Sequence, residues 1–285
     1  MQPDAERTPL PSGPTFEALA AQFDYDRAEP LEPRSVGVEG ALGLEDLSWR
    51  SPRGGRVPAW LLVPRRQGRH AAILFLHAST RDRDDLLGEA RQYPERGAVC
   101  LTMTAAHSRP GRARFPSWTN DDREGVIQDV VDLRRALDLL LEREDVDPAR
   151  LGFVGLSYGA DYGAVFCAVD GRLRAAALIS GGTLRDWYAR NSPEDLRTHY
   201  LALMETVAPD RYLPLVTRTR LLFQNGRNDP TYTRREIDDY HSSARGPNDV
   251  IWYDTGHWLN ADAARDRAAW LARQLELDAE AYRGL

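Results

Sequence analysis

The stretch RLGFVGLSYGADYGAVF, Arg150 to Phe166, sets the frame Gly155-Leu156-Ser157-Tyr158-Gly159 between two apolar runs. The run before the serine is short and continuously apolar, as in a buried strand, and YGADYGAVFCAV after it reads as a helix. A serine on a sharp strand-to-helix turn has its hydroxyl lifted above the sheet edge, and the flanking glycines let neighbouring backbone approach closely. A serine hydroxyl is a poor nucleophile at neutral pH, so reaction at Ser157 also requires a base and a group that orients the base.

The alternation extends in both directions. AAILFLH (71–77), AVCLTMTAAH (98–107), RAAALISGG (174–182), RLLFQNG (220–226) and DVIWYD (249–254) read as strands. Between and after them, residues 82–97, 121–144, 234–245 and 263–277 read as helices. In 121–144, Ile127, Val130, Leu133, Leu137 and Leu140 or Leu141 recur at helical spacing behind an Asp cap. Strands apolar on both faces that alternate with helices imply a mostly parallel, twisted sheet covered on both sides, an α/β fold. Before this pattern, residues 35–51 and 57–64 flank the turn PRGGR and suggest an opening antiparallel pair.

Residues 1–35, rich in Pro, Glu and Arg, read as an N-terminal arm over the core, and residues 36–285 as one catalytic domain. A stretch at 183–219 interrupts the alternation, and its length predicts a small inserted helical cap. With a formal net charge of -6 and interspersed signs, the chain offers no basic face for nucleic acid. No apolar run approaches the ~18 residues of a membrane helix. The amino terminus lacks the apolar segment of a secretory signal, so the expected location is cytoplasmic. The two cysteines, Cys100 and Cys167, fall in apolar contexts and read as packing thiols. The scattered histidines predict no metal site, and the chemistry calls for no cofactor.

His257 directly follows the last expected strand, and Asp229 lies in the loop after the preceding one. The chain order is therefore Ser, Asp, His. Asp254 is the rival acid, but it stands three residues before His257 and would need a tight fold-back to reach it.

DVDPARLGFVGLSYGADYG (145–163), NGRNDP (225–230) and DTGHW (254–258) resemble the α/β-hydrolase superfamily, in particular dienelactone-hydrolase-like esterases and prolyl-oligopeptidase-like catalytic domains. The resemblance implies a catalytic triad of Ser157 as nucleophile, His257 as general base and Asp229 as its orienting acid. It also implies an oxyanion hole formed by the backbone N–H groups of Tyr158 and of Ser79, in the loop after ILFLH. There the family commonly has His-Gly, whereas this chain has His77-Ala78-Ser79, and alanine in a left-handed conformation costs about 1–2 kcal/mol. Thiol-dependent dienelactone hydrolases carry Cys at the elbow where this chain has Ser157, which weakens that assignment. The peptidases usually add a large propeller that 35 preceding residues cannot build, which favours an esterase.

Trp258, Trp187 and Trp118, with Tyr188, lie beside the expected site segments and are candidates for an apolar substrate pocket. His77 reads as a residue that holds loop backbone, His107 as one that holds loop backbone or lines the cleft, and Arg109, Arg112 and Arg114 as surface charges or as an attractor for a substrate carboxylate. The expected activity is a serine carboxylesterase acting on small or medium acyl esters. The alternatives are an aminoacyl-peptide or amide hydrolase and a catalytically silent binding protein.

Overall fold

A computed structural model describes residues 15–39 and 43–278. The strands are β1 (Arg34–Glu39), β2 (Leu44–Arg50), β3 (Arg56–Leu62), β4 (His70–Leu76), β5 (Ala98–Met103), β6 (Val146–Leu156), β7 (Ala175–Ile179), β8 (Arg220–Gly226) and β9 (Asn248–Tyr253). They form one sheet in the order β1-β2-β3-β5-β4-β6-β7-β8-β9. The three opening strands run antiparallel to their neighbours, and the six from β5 to β9 are mutually parallel.

The continuous apolar runs are explained by the helices on both faces. Alternate strand residues enter opposite cores: Leu74, Leu76, Phe153 and Leu178 join one, and Ile73, Phe75, Val154 and Ile179 the other. The helices are α1 (Phe16–Ala20), α2 (Leu87–Ala90), α3 (Asn120–Leu141), α4 (Tyr158–Val169), α5 (Leu184–Asn191), α6 (Arg197–Met204), α7 (Pro209–Tyr212), α8 (Arg234–Ser243) and α9 (Ala261–Leu275). Helices α3, α4 and α8 contribute to the first core, α2 and α9 to the second.

Three details differ from the sequence expectations. The helix expected over 82–97 is only the single turn α2 and a 3-10 turn at Pro94–Arg96, and Pro94, which has no N–H to continue a helix, stands where the second begins. Helix α3 is capped by the Thr119 side chain, which accepts from the Asp121 N–H, rather than by an aspartate. The opening pair is a three-stranded unit in which Gly54 and Gly55, both at positive φ, turn β2 into β3.

The arm residues from Thr15 onward lie on the first core through buried Leu19 and Phe23, while residues 1–14 are outside the described residues. The 183–219 segment holds α5, α6 and α7 with short 3-10 turns. Its Tyr188, Tyr200, Met204 and Tyr212 are buried in the same core, where each fully buried apolar side chain contributes about 1.5–3 kcal/mol. Tyr162 of α4 and Tyr188 are joined hydroxyl to hydroxyl at 2.6 Å, and Tyr200 donates to Asp122 at 2.7 Å. The segment is thus bound to α3 and α4 as a flanking layer.

Candidate active site

Ser157 is the single residue between β6 and α4, at φ 54° and ψ -113°. A non-glycine residue held there costs of order 1–3 kcal/mol, and persists only where its surroundings fix it. Its N–H donates to the Ile179 carbonyl at 2.8 Å, and its own carbonyl accepts from Ala160 and Asp161 at 2.7 and 2.9 Å. Both glycines of the frame are sterically required. A Cβ on Gly155 would stand 2.1 Å from the Gly159 carbonyl oxygen, and one on Gly159 would stand 2.1 Å from that of Leu76. Gly159→Ala should therefore destabilise the protein by about 1–3 kcal/mol, the usual range for overpacking, measured as a lower denaturation midpoint at unchanged m. An unchanged midpoint would show that the elbow is looser than its contacts require.

His257 brings its ring between Ser157 and Asp229. Nε2 lies 2.9 Å from Ser157 Oγ, and Nδ1 lies 2.8 Å from Asp229 Oδ2. An ionised carboxylate only accepts, so it selects the Nδ1–H tautomer and leaves the Nε2 lone pair facing the serine hydroxyl. Asp229 is itself fixed, since Oδ1 accepts from the N–H groups of Thr231 and Tyr232 at 2.7 and 3.2 Å. The rival Asp254 points away: its side chain is 88% exposed and pairs with Arg227 at 3.2 Å.

The loops carrying the acid and the base are stitched together. Arg227 and Asn228 donate to the carbonyls of Tyr253 and Thr255 at 2.8 and 3.0 Å. Gly226 admits the Gly256 carbonyl where a Cβ would be 2.1 Å from its oxygen. Ser180, fully buried and at φ 53°, donates its hydroxyl to the His257 carbonyl at 2.6 Å.

The loop after β4 resolves the question raised by Ala78. Its φ is not positive, so alanine fits without left-handed strain. Its N–H donates to Asp85 Oδ2 at 3.2 Å. His77 accepts the Ala105 N–H at Nε2 (2.9 Å), which places its proton on Nδ1 to donate to the Ala78 carbonyl at 2.7 Å. His107 Nε2–H donates to the Ser79 carbonyl at 2.8 Å. Burial pushes both imidazoles down to about 4, so they remain neutral around pH 7. With those two carbonyls tied back, neither the Ser79 nor the Tyr158 N–H has an acceptor among the described residues.

Sequence reasoning missed part of the support. Asp129 of α3 accepts from the Tyr158 hydroxyl (2.7 Å) and the Ala106 N–H (2.6 Å), linking the residue after the serine to the loop after β5. It is fully buried, which raises its carboxyl to about 6. An aspartate inside the apolar register of a helix is the signal that would have exposed it. No local pattern marks Ser180.

Ser157 opens into a cleft of about 470 Å³ whose walls include Ala78, Ser79, Thr80, Pro230, His257 and Trp258. Trp258 is 50% exposed, with the Arg81 guanidinium 5.5 Å from its ring. Trp118 and Trp187 are placed elsewhere: they stack on each other at 6.2 Å against Tyr188 and Tyr200, and neither lines the cleft, because the flanking helices draw them into their own aromatic cluster. Arg109 is buried against Asp132 at 2.7 Å and is no free surface cation. Arg112 and Arg114 line an adjoining cavity of about 610 Å³ that shares Ser79 and Thr80 with the cleft. Among the described residues no group of three or more His, Cys, Asp or Glu is placed to hold a metal ion. No helix among them is long and apolar enough to cross a membrane.

The acetyl xylan esterase from Paenibacillus sp. R4 superposes with a TM-score of 0.74, covering 91% of this chain and 92% of that one at 19% identity. Acetyl xylan esterase 1 from Thermoanaerobacterium sp. JW/SL YS485 gives 0.76 over 90% and 92% at 14% identity. The fold is that of the α/β-hydrolases. A puromycin-hydrolyzing peptidase from Mycobacterium tuberculosis shares the α/β-hydrolase fold over 83% of this chain and 40% of its own, with a TM-score of 0.66 and 19% identity. No family model and no curated protein matches the sequence. At these identities the likeness carries the α/β-hydrolase fold alone.

Proposed function

We propose that the protein is a serine hydrolase that cleaves carboxylic esters of small or medium acyl groups through an acyl-enzyme intermediate. The observation that carries this reading is the hydrogen-bond chain Ser157–His257–Asp229, at 2.9 and 2.8 Å, opening on a cleft. His257 Nε2 takes the hydroxyl proton as Ser157 Oγ attacks the ester carbonyl carbon, and Asp229 stabilises the imidazolium that forms. The N–H groups of Ser79 and Tyr158 receive the developing oxyanion, where each such donor is worth about 2.7–4 kcal/mol. The imidazolium then protonates the departing alkoxide. Water, activated by the same imidazole, attacks the acyl carbon, and Ser157 regains its proton.

The ester preference is supported by the two acetyl xylan esterases that share the fold. Amide cleavage is the second reading, supported by the peptidase neighbour. A panel of activated esters of graded acyl length with matched anilides separates them. Faster turnover of short and medium esters than of the anilides is expected. Preference for anilides would favour the amide reading, and turnover of neither would leave a silent ligand-binding protein.

A further inference from the structure

Three segments of the site meet on one buried carboxylate. Asp161 lies on α4, one turn after Ser157, and is 2% exposed. Its N–H donates to the Ser157 carbonyl at 2.9 Å. Its Oδ1 accepts from the Gly182 N–H at 3.0 Å, in the loop after β7, and its Oδ2 accepts from the Tyr232 hydroxyl at 2.7 Å. The Tyr232 N–H in turn donates to Asp229 Oδ1 at 3.2 Å, and its ring centroid stands 5.9 Å from that of His257. The Gly182 loop also carries Ser180, whose hydroxyl holds the His257 carbonyl. A Cβ on Gly182 would lie 2.8 Å from the Tyr232 ring, so glycine lets that ring rest on the loop backbone.

We propose that Asp161 is a positioning residue that fixes, from the helix behind Ser157, both the loop orienting Asp229 and the loop holding His257. This rests on the triad reading above. A carboxyl in a buried helix is costly, and packing alone would be met by an apolar side chain. What the carboxyl adds is two directed acceptors aimed at two separate loops. Burial pushes its carboxyl up, and asparagine is the isosteric neutral replacement, keeping one oxygen acceptor and turning an amide to the Tyr232 hydroxyl.

The test is steady-state kinetics of the full chain on its best ester, with thermal unfolding of each variant. Tyr232→Phe and Asp161→Ala should lower kcat about 10- to 100-fold while KM moves less than about threefold, since misplacing a triad member impairs the transition state and not ground-state binding. Asp161→Asn should recover to within about fivefold of wild type, because the amide keeps an acceptor for Gly182 and a partner for Tyr232. Lower unfolding temperatures with kcat of the folded protein unchanged would overturn the proposal. If Asp161→Ala does not fold, Tyr232→Phe decides alone, as it removes one hydroxyl and keeps the ring. A wild-type chain inert to both esters and a fluorophosphonate would sink the triad reading and Asp161 with it. An active wild type with equally active variants would sink only the role of Asp161.

Discussion

Ser157→Ala is expected to lower ester turnover by about 10⁶-fold, the scale seen when a triad nucleophile is removed from a hydrolase. The loss is this large because the remaining residues act as a unit. Without Oγ, the base at His257 Nε2 has no proton to take and no acyl-enzyme forms. The rate that remains comes from substrate binding and the Ser79 and Tyr158 donors. Folding should be nearly untouched. The strained backbone at φ 54° is held by main-chain bonds to Ile179, Ala160 and Asp161, none of which uses the hydroxyl. Turnover measured beside a thermal unfolding curve separates the two effects. Retained turnover in a folded variant would remove Ser157 from the mechanism.

Asp229→Asn should cost about 10⁴-fold in kcat, and Asp254→Asn nearly nothing. An amide at position 229 can donate toward Nδ1, which favours the tautomer with the proton on Nε2, and the base then presents no lone pair to Ser157. The N–H groups of Thr231 and Tyr232 still find an oxygen at position 229, so the loop survives and the loss is chemical. Asp254 pairs with Arg227 at 88% exposure, and removing a surface ion pair changes stability by at most about 1 kcal/mol. Equal losses in the two variants would mean that the local fold around the last strand, and not the tautomer, is what both disturb.

The sheet was legible because its strands are buried on both faces. Such strands leave continuous apolar runs, and AAILFLH and RLLFQNG fall within a residue of β4 and β8. The elbow and the positions of Asp229 and His257 were legible because all three stand where a strand ends and the chain turns. Trp118 and Trp187 were not. Nearness in sequence to a site segment says nothing about which way a side chain is drawn, and the aromatic cluster of α5 and α6 drew both away from the cleft. The backbone at Ala78 was also hidden, since alanine in place of glycine signals trouble only where φ must be positive, and at Ala78, in the loop held by His77, His107 and Asp85, it is not. Asp129 and Asp161 carry their information in the third dimension, as acceptors for groups 21 to 71 residues away.

The most direct measurement is the mass of the intact protein and of its peptides after reaction with a fluorophosphonate, taken alongside residual ester turnover. A nucleophilic Ser157 predicts one adduct per chain, on the peptide containing Ser157, with turnover lost in proportion to labelling and no adduct in Ser157→Ala. Undiminished turnover in protein fully labelled at Ser157, or turnover that persists with no adduct there, would contradict it.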